Sequence, residues 1–344
     1  MNVLRLIAPL TVVALISSGT ASASAREAAP TFKEYVALGD SYTAAPLVPP
    51  LDLANLGCLR SGGGNYPALA APKLKVPKVT DVSCGGADTT HVKTAQATST
   101  GFVPPQMNAL TKKTDLVTIG LGANDFGLFA DLLAVCPGLQ KSDPDGAPCK
   151  KQFTAGGKDQ LKENVAKTKT RLTELLKTVK AKIAPKATIV LVGYPRIAPA
   201  KGNCPDLPLA KGDYAYLNST ETELNTAIQA AAKAGGAKYL DLFKPSEGHD
   251  VCAKDKAWIQ GAEVDLMKAA SYHPRAEEQT AVADLLVKLV SGSKQTVTAA
   301  DQESWTPTLA TLHQRSVATL ADPASRRSIT DRLAKGNLFP RQSQ

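Results

Sequence analysis

The chain has 344 residues, of which 43% are hydrophobic, and 40 lysines and arginines outweigh 31 aspartates and glutamates to give a formal net charge of +9. This composition excludes a collagen-like, low-complexity or wholly disordered chain and supplies enough apolar side chains for a substantial core. A basic chain suits contact with anionic cell walls or lipids. It does not indicate nucleic-acid binding, because the lysines of residues 158–182 are interspersed with glutamates and have no aromatic stacking platform beside them.

The first 25 residues have the pattern of a signal peptide. Arg5 gives a short basic start, residues 6–16 are almost continuously apolar, and small residues then alternate up to Ala25. Cleavage is expected after Ala23 or Ala25. The apolar run is too short to span a bilayer comfortably, and no later segment approaches the ~20 apolar residues that a span needs. We therefore expect a soluble protein that is secreted to the extracellular side.

The six cysteines gain a meaning from this expected export. In an oxidising compartment an even number of cysteines favours disulfides over metal ligation, and none of these cysteines forms a C-x-x-C pair. Several pairings are possible, and the order along the chain suggests one in which each bridge closes a loop: Cys58–Cys84, Cys136–Cys149 and Cys204–Cys252. No acidic or Cys/His cluster suggests a metal, so we predict neither a metal nor another cofactor.

Strand and helix patterns alternate through the middle of the chain. Short apolar or β-branched runs predict strands at residues 34–38, 78–83, 115–121, 187–192 and 239–243. Apolar residues at spacings near three and four predict a helix at residues 158–183, and further helices are predicted through residues 217–228, closed by Gly235-Gly236, and at residues 276–290. This alternation predicts an α/β domain over residues 32–290, with a mostly parallel sheet covered on both faces. Residues 291–344 are polar and are predicted to form a peripheral tail, partly helical or disordered.

Ligands of such a sheet bind at the carboxyl ends of its strands, and informative residues follow three of them. Gly39-Asp40-Ser41 comes directly after the first predicted strand, where a helix start offers backbone N–H groups to an anion. Alone, this sequence is a common turn. Asn124 follows the third predicted strand, where its side chain could donate a hydrogen bond to a developing oxyanion, although Asn is also a frequent helix cap.

Two further residues complete a possible catalytic set. Gly86 follows the second predicted strand, and its N–H could face the same oxyanion. His273 stands just before the last predicted helix in Ser-Tyr-His-Pro, a setting that the other three histidines lack. A lone histidine is more often structural. Together, however, a strand-end serine, a glycine, an asparagine and a late histidine supply a nucleophile, oxyanion donors and a base.

Four sequence blocks, in this order along the chain, resemble those of the SGNH/GDSL hydrolases, in particular the exported actinobacterial esterases, lipases and phospholipases. The blocks are Gly39-Asp40-Ser41, Gly86, Gly122-x-Asn124-Asp125 and His273-Pro274. The resemblance covers residues 32–290. It extends to the six cysteines and to three further segments: Arg60-Ser61 with Asn65-Tyr66-Pro67, Gly248-His249 with Cys252, and Trp258-Ile259 with Gly261.

The resemblance implies the SGNH hydrolase fold, a three-layer α/β/α sandwich with a flavodoxin-like sheet. It also implies that Ser41 attacks an ester carbonyl and that His273 acts as its base and then as an acid. The oxyanion donors would be the backbone N–H groups of Ser41 and Gly86 and the side chain of Asn124. Losing one donor of this kind typically costs ~10²–10³ in rate.

The chain departs from the family pattern at one position. The family commonly has an aspartate three residues before the histidine, and here that position is Ala270. We expect a backbone carbonyl of Ala270 or Ser271 to orient the imidazole, which makes the pair a Ser–His dyad. An acid from elsewhere, such as Glu263 or Asp265, is the open alternative.

Nearby polar residues are assigned structural roles. Asp40 and Asp125 are expected to hydrogen-bond neighbouring backbone, and His249 to pack within a loop.

The leading hypothesis is a hydrolase of acyl lipids or simple acyl esters, acting as a monomer. Loops at residues 45–64, 137–157 and 195–211 would frame the acyl site, and their apolar content with few aromatics favours an acyl chain over a sugar. Phospholipids are a possible variant of this substrate class. The alternatives are an acetylesterase acting on carbohydrate or cell-wall glycan and a non-catalytic binding protein of the same fold.

Overall fold

A computed structural model describes residues 31–292, except for the side chains of residues 53–55. Its centre is a sheet of five parallel strands in the order β2-β1-β5-β6-β7. These strands are β1 (Glu34–Gly39), β2 (Lys78–Asp81), β5 (Leu116–Gly120), β6 (Thr188–Val192) and β7 (Lys238–Leu240). A separate antiparallel hairpin pairs β3 (Gln96–Thr98) with β4 (Gly101–Val103). The predicted signal peptide and tail lie outside the described residues.

Helices lie on both sides of the sheet. They are α1 (Ser41–Ala44), α2 (Tyr66–Lys73), α3 (Leu128–Leu139), α4 (Pro148–Thr154), α5 (Gln160–Lys180), α6 (Asp213–Gly235) and α7 (Ala276–Val290). The long α5 begins where the Asp159 carboxylate accepts hydrogen bonds from the first backbone N–H groups. The α6 helix ends at Gly236, whose left-handed backbone returns its N–H to the last turn.

The two faces of the sheet carry separate apolar cores. Val36 and Leu38 of β1 belong to a large cluster with α5 and α6, whereas Tyr35 and Ala37 belong to a second cluster with α2 and α7. This division follows from the two-residue period of a strand, which sends successive side chains to opposite faces. Because both faces are covered, β1 is buried along its whole length, and the predicted α/β/α layering is confirmed.

The main differences from the sequence prediction concern short elements. All five predicted sheet strands and the three long helices are present, with bounds that differ by a few residues. The hairpin and the helices α2 to α4 were not predicted, whereas the helix start at Ser41 was. Their segments are short, and Pro72 and Pro137 interrupt the pattern that periodicity detects inside α2 and α3.

Three disulfides join the cysteines in the pairs that their order along the chain suggests. The Cys58–Cys84 bridge lies beside the turn after β2, Cys136–Cys149 joins α3 to α4, and Cys204–Cys252 joins a loop to the 3-10 helix Val251–Lys256. Within residues 31–292, no helix is both long and apolar enough to cross a bilayer.

Candidate active site

Ser41 is the first residue of α1 and follows β1 after a single intervening residue. That residue, Asp40, caps the helix, because its Oδ1 accepts the N–H of Tyr42 at 2.8 Å. Ser41 is 5% exposed. Because Ser41 is the first residue of α1, its backbone N–H is one of the N–H groups at a helix start that have no partner within the helix.

Two glycines allow α1 to sit tightly against the ends of the strands. Gly39 and Gly120 are paired across β1 and β5, and the side chain of Thr43 occupies the space beside both. A Cβ atom on Gly39 would lie 2.2 Å from Thr43 Oγ1, and one on Gly120 would lie 2.5 Å from the same atom. A side chain at Gly39 would push on the Cβ atom of Thr43 and so displace α1, whereas one at Gly120 would displace the Thr43 hydroxyl group.

The turn after β2 presents Gly86 with a left-handed backbone, at φ +76°. Its neighbours are held in place: the Gly85 N–H donates to Cys58 O and the Ala87 N–H donates to Cys84 O, each at 3.0 Å. Between these two fixed groups, the Gly86 N–H has no hydrogen-bond partner among the described residues. It is thus available to an incoming oxygen.

Asn124 follows β5 in a loop that begins at Gly122, whose φ of +131° suits glycine. The Asn124 Nδ2 donates to Ala87 O at 2.9 Å, which fixes the amide against the Gly86 turn. A primary amide has a second N–H on the same nitrogen, so one donor remains for a ligand. The contact also identifies Nδ2 as the atom facing the turn.

Asp125 fastens the same two loops from behind. Its Oδ1 accepts the Thr89 N–H and its Oδ2 accepts the Thr89 hydroxyl, both at 2.8 Å. Burial raises the pKa of Asp125 to about 6 despite these bonds. The carboxyl group is fully buried, in keeping with the structural role predicted for it.

A third connection runs through Tyr194, directly after β6. Its hydroxyl group hydrogen-bonds Asp40 Oδ2 and accepts the Ala123 N–H at 3.1 Å. Tyr194 thereby links the turn that carries Ser41 to the loop that carries Asn124. Asp40 is completely buried, and burial raises its pKa to about 7.

A buried glutamine holds the end of β1. The Gln106 side chain accepts the Gly39 N–H and donates to the Gly39 carbonyl, both at 2.9 Å. It therefore pairs with both backbone polar groups of Gly39, which is the last residue of β1 and lies two positions before Ser41. Neither Gln106 nor Tyr194 was singled out from the sequence.

His273 lies in a loop just before α7 and is half-buried. Its Nδ1 is 2.7 Å from the carbonyl oxygen of Ser271, and its backbone N–H donates to Ala270 O at 3.1 Å. Because a carbonyl can only accept, this contact requires the hydrogen on Nδ1 and leaves the lone pair on Nε2. Of the two carbonyls considered from the sequence, Ser271 is the one that contacts the ring.

Removal from solvent lowers the pKa of His273 to about 4, against a smaller opposing effect of the Ser271 hydrogen bond. The neutral imidazole is therefore the form present at neutral pH. A general base must be neutral to accept a proton, and the imidazole of His273 meets this condition.

Tyr42 connects the loop that contains His273 to α1, the helix that begins at Ser41. Its hydroxyl group donates to Tyr272 O at 2.8 Å, and its ring lies 5.6 Å from the His273 ring between centroids. From α7, the Gln279 amide donates to Tyr42 O at 2.9 Å and accepts the Tyr66 N–H at 2.7 Å. The residue next to Ser41 is thus held by both the loop and the helix that flank His273.

The acids considered as alternative orienting groups have other contacts. Asp265 accepts the Met267 N–H at 2.9 Å and pairs with Lys268 at 3.4 Å, within its own turn. Glu263 is exposed at the surface. His249 stacks on Trp258 with centroids 4.6 Å apart, and its Nδ1 is 2.7 Å from Lys256 O, as expected for a histidine that packs within a loop.

Comparison with known proteins places this geometry in a family. The model of the GDSL-like lipase/acylhydrolase family matches residues 37–279, which include all four blocks. The chain belongs to this family. The resemblance drawn from the sequence is thereby confirmed, and the chain is a hydrolase of carboxylic esters.

Similar proteins include Lipase 2 of Streptomyces coelicolor, 40% identical over 251 residues that make up 71% of this chain and 81% of that protein. Among solved structures, phospholipase A1 from Streptomyces albidoflavus has a TM-score of 0.61 at 29% identity, covering 76% of this chain and 99% of that one. The extracellular lipase from Streptomyces rimosus has a TM-score of 0.59 at 26% identity, covering 75% and 99%.

Proposed function

We propose that this protein is a secreted hydrolase that cleaves acyl esters through an acyl-enzyme on Ser41, with His273 as the base. The observation that carries the proposal is the contact between His273 Nδ1 and the Ser271 carbonyl. It leaves Nε2 as the proton acceptor in a loop that Tyr42, the residue after Ser41, contacts directly.

In the first half of the reaction, Ser41 Oγ attacks the ester carbonyl carbon and its proton passes to His273 Nε2. The negative charge that develops on the carbonyl oxygen is met by the N–H groups of Ser41 and Gly86 and by the Asn124 amide. These donors are fixed before the substrate arrives, so they stabilise the charge without reorganisation. His273 then returns the proton to the leaving alkoxide, and an alcohol departs.

In the second half, water attacks the acyl-enzyme and His273 removes a proton from it. Collapse of the second tetrahedral intermediate releases the carboxylic acid and restores Ser41. In this scheme the Ser271 carbonyl holds the imidazole in the correct tautomer, but a neutral carbonyl stabilises the imidazolium less than a carboxylate would. The protein acts here as a dyad enzyme.

An apolar cluster next to the histidine loop supports an acyl chain as the substrate's long arm. Leu47 and Ala270 are buried together, and three half-buried side chains pack against them: Leu51, Val264 and Leu266. Ala270 lies three residues before His273. A chain of CH₂ groups bound on this cluster would gain ~0.8 kcal/mol for each group removed from water.

The remaining elements of the proposal are export, a monomeric state and contact with a lipid surface. The three disulfides support export, and the net charge of +9 supports contact with a lipid surface. The relatives named as lipases and as a phospholipase A1 make acyl lipids and phospholipids suitable first substrates.

The test is hydrolysis of p-nitrophenyl esters from acetyl to palmitoyl, alongside phospholipid and acetylated xylan. Ser41→Ala and His273→Ala should abolish activity on every ester, whereas Asp265→Asn should retain it. Activity that increases beyond acetyl and is absent on acetylated xylan supports an acyl-chain substrate.

Two results would contradict the proposal. Activity that survives Ser41→Ala would place the nucleophile elsewhere. The absence of hydrolysis on all of these esters, together with no labelling of Ser41 by a serine-reactive phosphonate, would favour a binding protein of the same fold.

A further inference from the structure

The residue before His273 has an unusual backbone conformation. Tyr272 has a φ of +57°, in the left-handed region that a residue with a Cβ atom rarely adopts. Such a conformation persists only where the surrounding structure holds it. The peptide group on the N-terminal side of Tyr272 contains the Ser271 carbonyl, whose oxygen is 2.7 Å from His273 Nδ1. A change in the φ of Tyr272 would therefore turn this carbonyl away from the imidazole.

Backbone contacts within the histidine loop hold part of this conformation. The Tyr272 N–H donates to Gln260 O at 3.1 Å, and the Gln260 N–H donates to His273 O at 2.9 Å. The His273 N–H donates to Ala270 O at 3.1 Å. These bonds fix the loop against residues that precede it in the chain, but they do not connect it to Ser41.

The connection to Ser41 is made by α1 and the residues that follow it. The Tyr42 hydroxyl group donates to Tyr272 O at 2.8 Å. The Ala270 N–H donates to Pro46 O at 3.1 Å, just beyond the end of α1. These two bonds lie on either side of Ser271 in the chain. The helix that begins at the nucleophile therefore also fixes the residues around the carbonyl that orients the base.

Tyr42 is itself held on several sides. Its N–H donates to Asp40 Oδ1 at 2.8 Å, and its carbonyl accepts the Gln279 amide at 2.9 Å. Its ring lies edge-on to the ring of Tyr194, with centroids 5.3 Å apart. A phenol group has one hydrogen to donate, and here it is directed at Tyr272 O. The hydroxyl group is thus a fixed support for the left-handed residue.

We propose that the Tyr42 hydroxyl group is a positioning group that replaces the orienting acid of the family. By holding Tyr272 in its left-handed conformation, it keeps the Ser271 carbonyl on His273 Nδ1 and so fixes the tautomer of the base. Tyr42 acts through the backbone of these two residues rather than on the ester. This inference deepens the proposed function and rests on it for the role of His273.

The first test compares two tyrosine variants. Tyr42→Phe removes the hydroxyl group and keeps the ring. We expect kcat on p-nitrophenyl butyrate to fall about tenfold and KM to change by less than about twofold, because a misoriented base slows proton transfer and leaves ester binding intact. Tyr35→Phe is the matched control. Tyr35 is completely buried in the second apolar cluster and hydrogen-bonds Thr118 Oγ1 at 2.8 Å, so its variant loses a similar contact and should keep kcat.

The second test reads the tautomer of His273 directly. In ¹⁵N NMR, the protonated and unprotonated nitrogens of a neutral imidazole give separate signals, and comparison with His273→Ala identifies those of His273. At neutral pH the parent should carry its ring hydrogen on Nδ1 alone, as the Ser271 carbonyl requires. Tyr42→Phe should show both tautomers.

The third test uses Tyr272→Gly, because glycine adopts a left-handed backbone without a Cβ penalty. In this variant the loop should depend less on the Tyr42 hydroxyl group. Adding Tyr42→Phe to it should therefore lower kcat by no more than about threefold, since two residues that act through one contact have non-additive effects.

Three results would overturn the inference. They are an equal loss of kcat from Tyr42→Phe in the parent and in Tyr272→Gly, an equal loss in Tyr35→Phe, and a Tyr42→Phe protein that keeps the tautomer of the parent. Activity that survives His273→Ala would instead contradict the proposed function, whatever the effect of Tyr42→Phe.

Discussion

The two halves of the site differ in how far their loops rely on buried side chains, although side-chain bonds such as Ser271 Oγ to Ala262 O occur on the histidine side too. On the nucleophile side, buried side chains join one loop to another: Tyr194 joins Asp40 to Ala123, and Asp125 joins its loop to Thr89. On the histidine side, the described residues 257–275 form neither a helix nor a strand, and backbone hydrogen bonds recur along them. Gln260 N–H donates to His273 O at 2.9 Å, for example.

This difference explains why one half follows the family pattern more closely than the other. A loop fastened by side chains depends on residue identity, so Asp40 and Asp125 are visible as parts of sequence blocks. A ring oriented by a backbone carbonyl does not depend on the residue that supplies it. Ala270 can therefore stand where the family commonly has an aspartate, since Ser271 O contacts Nδ1 instead.

The largest effect is expected on the nucleophile side, from Asn124→Ala. Removing this amide should lower kcat by ~10²–10³ with a smaller change in KM, because the donor acts mainly on charge that develops in the transition state. Steady-state kinetics on p-nitrophenyl butyrate would measure it. Asn164→Ala is the control, since Asn164 also donates to this loop, at Phe126 O. An equal loss in both variants would mean that loop order, rather than the donor, is responsible.

The substitution Ala270→Asp, which restores the aspartate that the family commonly has, should lower the stability of the protein without raising kcat. Ala270 is fully buried against Leu47, so the carboxylate of Ala270→Asp would be desolvated, and Nδ1 already has a partner. We expect a loss of about 1–3 kcal/mol in the free energy of unfolding and no rise in kcat. Denaturant titration and kinetics would measure these. Ala270→Asn separates charge from volume, and a faster Ala270→Asp enzyme would show that the carbonyl is a poor substitute.

A loss of both stability and rate, smaller in rate than that of Asn124→Ala, is expected from Tyr194→Phe, which removes one hydroxyl group between the loops of Ser41 and Asn124. The Ala123 N–H loses its acceptor, and a buried unpaired donor costs about 1–3 kcal/mol of stability. We expect kcat to fall about tenfold with KM nearly constant, since Asn124 becomes less well positioned. Tyr239→Phe is the control, because its hydroxyl contacts Asn225 but not Asp40. A rise in KM alone would contradict the positioning role.

The smallest effect is a displaced acid limb in the pH profile. His273 must be neutral to act as a base, so kcat/KM should fall as the pH drops through its pKa of about 4 and should not fall at the ordinary histidine value. Asp265→Asn should leave this midpoint unchanged. A midpoint near ~6.5 that persists in Asp40→Asn and Asp125→Asn would contradict the lowered pKa of His273, because burial raises the pKa of these two carboxyl groups to about 7 and about 6.

Much of the fold could be predicted because its strands and long helices carry strong periodic patterns. The buried runs of β1 and β5 are short, apolar and followed by glycine, and α5 repeats its apolar residues for 21 residues. The hairpin was missed because β3 and β4 have three residues each and mix threonine, glutamine and glycine. No periodicity can be recognised over that length.

The site could be predicted where its residues follow predicted strands. Ser41, Gly86 and Asn124 follow β1, β2 and β5. Ligands of a parallel sheet bind at the carboxyl ends of its strands, so these positions could be searched from the sequence. The same rule applies to Tyr194, which follows β6, but it was not singled out because a tyrosine suggests no chemistry without its partners. Gln106 has no local signal at all, because its importance comes from reaching Gly39, 67 residues away in the chain.

The Cys58–Cys84 bridge ties the catalytic geometry to the redox conditions in which the chain folds. The bridge ends two residues before Gly86, and the Gly85 N–H returns to Cys58 O across it. Closing a loop of 26 residues removes about 3–4 kcal/mol of chain entropy from the unfolded state. Chains made with reduced thiols should yield less active protein, and air oxidation after purification should recover activity in proportion to the bridge formed.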